Sequence, residues 1–165
     1  NSLLPRDVAV LDAAEMPLEF HTRFQARRKT YTYRIWRSPV RPVFERDRAY
    51  HFARPLNLQA MQVAAVRLVG KHDFACFCSA GSSAKTSTRT VYEAFWREDG
   101  EILSFTISAD GFLYRMVRNI VGTLLQVGLG KRPPEWVEEL LAQGRRTAAG
   151  PAVPACGLFL VRVEY

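Results

Sequence analysis

The chain has 165 residues, 48% hydrophobic and 24% charged, a balance that suits one packed domain and excludes general disorder. Its 23 Lys and Arg against 16 Asp and Glu give a formal charge of +7, with Arg greatly outnumbering Lys; this favours a polyanionic partner, nucleic acid ahead of a membrane surface, because Arg makes bidentate phosphate contacts. Three cysteines without framework spacing argue against a disulfide scaffold and for a reducing, cytoplasmic setting, and no apolar run reaches the roughly 18 residues of a membrane span.

In chain order, the opening "NSLLPRDVAVLDAAEM" has no basic flank followed by an apolar core, so it does not read as a secretion signal. "KTYTYRIW" (29–36) places Tyr31, Tyr33 and Ile35 on one side of an extended chain and Thr32, Arg34 and Trp36 on the other, which predicts a strand. "RAYHF" (48–52) is a shorter strand candidate. In "NLQAMQVAAVRLVG", Leu58, Met61, Ala65 and Leu68 share one helical face, with Asn57 as the N-terminal cap and Gly70 as the end. The polar, small and basic stretch 71–89 reads as a loop. "TVYEAFW" and "EILSFTISA" flank the turn "EDG" and form a hairpin.

From Phe112 to about Leu129 the spacing predicts a helix, with Asp110 as its cap. "PEWVEELLAQG" predicts another, with proline and acids early and Gly144 beyond its end. "GLFLVRVEY" closes the chain as a strand. No repeat or Gly/Ser linker interrupts residues 1–165, which read as a single α+β domain, a mainly antiparallel sheet with helices packed on one face.

The helix after Phe112 carries polar groups on a largely apolar cylinder. Arg115, Asn119 and Gln126 fall on one strip, with Arg115 and Asn119 expected to face solvent or RNA, while Arg118 lies at its border with Gly122 four residues on, leaving open space beside its stem. Two readings of Arg118 stand: its methylenes pack while the head stays in water, or it is partly buried and pairs with a carboxylate. His72, Cys76 and Cys78 fall short of the usual four ligands of a structural zinc, so no metal is expected.

Four segments, "FHTRFQARRKTYTYRIW" (20–36), "HDFACFCSAGSSAKTSTRTVYEAFW" (72–96), "DGFLYRMVRNIVGTLLQVGLGKRPPEWVEELL" (110–141) and "AAGPAVPACGLFLVRVEY" (148–165), together resemble the C-terminal part of the TruA-type tRNA pseudouridine synthases. The resemblance implies a pseudouridine synthase-like fold, of which this chain is a ferredoxin-like half. It also implies isomerisation of uridine to pseudouridine on the 3′ side of the tRNA anticodon stem-loop, without metal or organic cofactor, by a homodimeric enzyme. An aspartate nucleophile attacks, the N-glycosidic bond breaks, the uracil turns and C5 rejoins the ribose. Tyr31 matches the first Tyr of the family's R-x-Y-x-Y strand and would lie against the target uracil. Arg118 matches the Arg of M-V-R-N-I-V-G and would pair with the nucleophile, and Leu158 and Leu160 match the closing strand that walls the uracil. A flat aromatic at such a place replaces the stacking a flipped base has lost.

The family's aspartate stands in G-R-T-D-x-G-V-H, and no Asp of this chain (Asp7, Asp12, Asp47, Asp73, Asp99, Asp110) has that context. Residues 1–19 resemble the segment joining the family's first half to its second. The expectation is therefore a chain lacking the N-terminal catalytic half and inactive alone, since nucleophilic catalysis needs its nucleophile. Arg27, Arg28 and Lys29 before the Tyr31 strand, Lys85 and Arg89 in the following loop, and Arg115 on the helix are the candidate RNA contacts, to be weighed against a merely solvated charge run. Rival readings are a non-catalytic RNA-binding module and a ferredoxin-like domain of unrelated chemistry.

Overall fold

The alternating residues of "KTYTYRIW" form the central strand β1 (Arg28–Trp36) of a six-stranded sheet in a computed structural model describing residues 1–165. The other strands are β2 (Tyr50–His51), β3 (Gly70–Asp73), β4 (Thr88–Asp99), β5 (Ile102–Ala109) and β6 (Leu158–Glu164). They run in the order β2-β1-β5-β4-β3, antiparallel except for the short parallel contact of β2 with Ile35 and Trp36. β6 pairs antiparallel with the first part of β1, along the edge it shares with β2.

Three helices, α1 (Leu58–Val66), α2 (Met116–Gly128) and α3 (Trp136–Gln143), cover one face. Tyr33 and Ile35 of β1, Leu103, Phe105 and Ile107 of β5, and Val91, Ala94 and Trp96 of β4 meet Met61 and Ala65 of α1 and Ile120 and Leu124 of α2 in one core. The opposite face is polar: Thr32 bonds Thr106, and Arg28 bonds Ser108 and Glu93. The alternation breaks once in β4, where Val91 opposes Ala109 and Glu93 opposes Ser108. Tyr92 is the extra residue of a bulge, which is why inward Val91 and Ala94 stand three apart instead of two.

The α+β class holds, and several local expectations need correction. Asn57 caps α1, accepting from the Ala60 N–H, but α1 ends at Val66, and Gly70, at φ 115, instead opens β3. The stretch 71–89 is not a plain loop: β3 pairs with β4, and a 3-10 turn at Ala75–Phe77 buries Cys76 and Phe77. These pieces are too short to show a period. α2 begins at Met116 rather than Phe112, because Arg115 adopts a left-handed backbone (φ 59, ψ 13) that no helix can continue through. Asp110 caps no helix; its carboxylate accepts from the Thr90 N–H and ties the end of β5 to β4. Residues 1–27 contain turns but no helix or strand, and Leu3, Leu11 and Leu18 face solvent.

Candidate functional site

The period of β1 sorts its side chains. Lys29, Tyr31 and Tyr33 project on the helix-covered side, Arg28, Thr30 and Thr32 on the other. Tyr31 stands between Ile107 of β5 and Leu160 of β6, and its ring meets Phe112 edge-on at 4.9 Å. Tyr31, Phe112, Leu158 and Arg115 are among the walls of a cavity of about 90 Å³. Burial pushes the Tyr31 phenol above its ordinary range, so it stays neutral and offers a flat apolar ring with one hydroxyl. Leu160, though in register with Tyr31, is half exposed and lies outside this cavity.

Phe112 is a wall shared with a wider groove of about 740 Å³, where Arg23, Lys29, Lys85 and Arg89 gather. Its single acid is Asp110, already engaged by Thr90. Arg89 is steadied by the Thr86 and Thr88 carbonyls and packs over Gly111, where an added Cβ would come within 3.3 Å of Nε. Three of the sequence-predicted cations thus meet in one groove, and Arg115 sits on the adjoining cavity. Its guanidinium lies 5.0 Å over the Tyr114 ring.

Two do not join them. Arg27 lines a separate hollow with Phe20 and Tyr165. Arg28, on the opposite sheet face, donates to Glu93 at 2.7 Å and stacks on Tyr92. Sequence reasoning missed Arg23, which reaches the groove from a turn with no periodic signal, and it placed Phe112 within a helix rather than on the dividing wall.

Arg118 takes neither of its two expected forms in full. It is half-buried, but Nε donates to the Val153 carbonyl at 2.7 Å and the chain supplies no carboxylate partner. Its other guanidinium nitrogens make no hydrogen bond within the chain. Beside it, Tyr33 donates to the Pro154 carbonyl at 2.7 Å. The strap 149–154 crosses α2 at Gly122, where an added Cβ would lie 1.7 Å from the Pro151 oxygen; the space expected beside the Arg118 stem is filled by that backbone. Beyond it, Gly157 lies so close to β1 that a Cβ would come within 2.4 Å of the Arg34 oxygen, and Leu158 follows directly into the cavity wall. Asn119, expected at the surface, is fully buried.

The fold and site define an α+β domain in which a cationic groove shares an aromatic wall with a small, mostly apolar cavity. Comparison with known proteins identifies the family. A family profile described as tRNA pseudouridine synthase matches residues 64–165. Proteins named tRNA pseudouridine synthase A are similar over nearly all of the chain. That of Halalkalibacterium halodurans is 48% identical over 96% of this chain and 60% of its own length. That of Caldicellulosiruptor bescii is 44% identical over 100% of this chain and 68% of its own length, and that of Syntrophomonas wolfei 47% over 100% and 66%. The chain belongs to the tRNA pseudouridine synthase family, and it spans between 60% and 68% of the length of these relatives. No helix is long and apolar enough to cross a membrane.

Proposed function

We propose that this chain is the C-terminal, RNA-binding and cleft-forming part of a tRNA pseudouridine synthase that isomerises uridine to pseudouridine in the anticodon stem-loop. The observation that carries the reading is the shared Phe112 wall: the groove of Lys29, Lys85 and Arg89 adjoins the cavity of Tyr31 and Leu158. The groove holds the phosphates, and the target uracil leaves its stack to lie against Tyr31, with Leu158 as an apolar wall. Leu160, half exposed and in register with Tyr31, offers the base a further apolar wall.

Arg118 is anchored through Nε, which leaves its remaining N–H groups for the carboxylate of the G-R-T-D-x-G-V-H segment. That pairing keeps the aspartate ionised and aimed at the ribose. The segment does not occur in these 165 residues, so the chain alone turns over no substrate. On the same reading residues 1–19 lead in from an N-terminal catalytic half, and the full-length enzyme is a cytoplasmic homodimer that needs no cofactor.

The test is the full-length protein incubated with an anticodon stem-loop RNA, followed by mass spectrometry after pseudouridine-selective alkylation. Conversion of uridine is expected, with none by residues 1–165 alone. Tight RNA binding without conversion by the full-length protein would make this a binding module, and neither binding nor conversion would sink both readings.

A further inference from the structure

Asn119 is fully buried, adjacent to Arg118 on α2, and hydrogen-bonded on every side. Its Nδ2 donates to the Phe77 carbonyl at 2.7 Å and to Ser79 Oγ at 3.1 Å, and its Oδ1 accepts from Arg146 Nη2 at 2.8 Å. Its own carbonyl accepts from the Thr123 hydroxyl at 2.9 Å, and that hydroxyl oxygen accepts from the Gly150 N–H at 2.9 Å. Arg146 Nη1 donates to the Gly150 carbonyl at 3.0 Å, and the Ser79 N–H donates to the Tyr114 carbonyl at 3.1 Å.

An apolar side chain of similar size would pack this face of α2 without any of these partners, whereas a buried amide must have them all. What the amide adds is registration of segments distant in sequence. Residues 77–79 open the loop that carries Lys85. Tyr114 directly precedes Arg115. The strap 149–154 anchors Arg118 and Tyr33 and leads into Leu158.

We propose that Asn119 is a positioning residue that locks the RNA-groove loop, through Ser79, and the Arg118 strap, through Arg146, into one register around the Tyr31 cavity. The idea rests on the proposed reaction for its kinetic consequences but not for its structural ones. The two arms separate experimentally. Ser79→Ala removes one loop-side bond and leaves the Phe77 carbonyl bond in place. Arg146→Met removes the strap-side bonds.

In the full-length protein, Ser79→Ala is expected to raise KM for an anticodon stem-loop RNA about threefold to tenfold, the worth of one hydrogen bond, with kcat unchanged. Arg146→Met is expected to lower kcat by roughly tenfold or more with little change in KM, because Arg118 is misplaced while the groove is intact. Arg146→Lys, which can reach one of the acceptors, recovers part of kcat. Hydrogen exchange gives a readout free of catalysis: Ser79→Ala speeds exchange within 79–87, Arg146→Met within 149–154, and Asn119→Leu, which removes the amide shared by both arms, speeds both. Exchange in Asn119→Leu that leaves either segment unchanged, or kcat and KM that move together in both single-arm variants, would overturn the proposal and leave Asn119 an ordinary packing residue. If the wild type forms no pseudouridine, the proposed reaction fails, while the exchange pattern still decides the role of Asn119.

Discussion

Two tyrosines two positions apart on β1 have different tasks. Tyr31 stands at the cavity with its ring against Phe112, and the work proposed for it is that of a flat platform. Tyr31→Phe keeps the platform and is expected to bind stem-loop RNA within about twofold of the wild type, whereas Tyr31→Ala loses stacking worth roughly 1–3 kcal/mol, read by fluorescence titration. Tyr33 is structural: fully buried, it donates to Pro154. Burial pushes its phenol far above the ordinary range, the nearby Cys156 and Tyr50 push it further, and Arg118 opposes them. The sign follows from linkage. Above the unfolded pKa of about 10 the unfolded chain releases a proton that the native state retains, so stability is full below that pH and falls as pH rises past it. Tyr33→Phe should therefore cost about 1 kcal/mol at neutral pH for the lost hydrogen bond and flatten the alkaline decline of Tm, measured by thermal melts from pH 8 to 11. Cys76 acts in the same direction, its thiol pushed up to about 12 by burial, and it should resist alkylation in the native protein at pH 8.

At the scale of elements, the crossing of α2 by the strap 149–154 holds the site together. Gly122 permits it: a helix interior normally gains about 1 kcal/mol from Gly→Ala, but here the new methyl would collide with the Pro151 carbonyl, and overpacking costs roughly 1–3 kcal/mol. The collision is with backbone that Thr123 and Arg146 hold in place, so the upper end applies. Gly122→Ala is expected to lower stability by about 2 kcal/mol net in urea denaturation, against the helix-propensity trend. This crossing marks where the sequence stops being legible. β1, the β4–β5 hairpin, α1 and α3 could be read because their periods, turns and caps are local. The Tyr31 and Leu158 side of the cavity could be read only through resemblance, since periodicity makes both ordinary core residues. The late start of α2 could not be read, because the left-handed turn at Arg115 is a backbone choice that Arg rarely makes. Nor could the burial of Asn119, since its partners at Phe77, Ser79 and Arg146 lie 42, 40 and 27 residues away.

For the whole molecule the net +7 matters less than where the charge is placed. On the polar sheet face Arg28 is paired with Glu93 and Arg34 with Glu45, and at the end of the sheet Arg37 is paired with Glu98, so these arginines are largely neutralised locally. In the groove, Arg23, Lys29, Lys85 and Arg89 have no acid paired with them, and the one carboxylate on the wall is tied to Thr90. Counterion release converts that asymmetry into an observable. Each phosphate neutralised adds about 0.7 to 0.9 to the slope of log affinity against log salt. Binding of stem-loop RNA by the full-length protein should therefore weaken steeply between 50 and 200 mM salt, and Lys85→Ala should flatten the slope by roughly 0.7 to 0.9. Arg28→Ala removes the same formal charge from the opposite face and should leave the slope unchanged, at a stability cost of no more than about 1 kcal/mol for a half-exposed pair. Equal effects of the two substitutions would mean that the RNA responds only to net charge, whereas a flattened slope in Lys85→Ala alone would locate the bound strand on the Tyr31 side of the sheet.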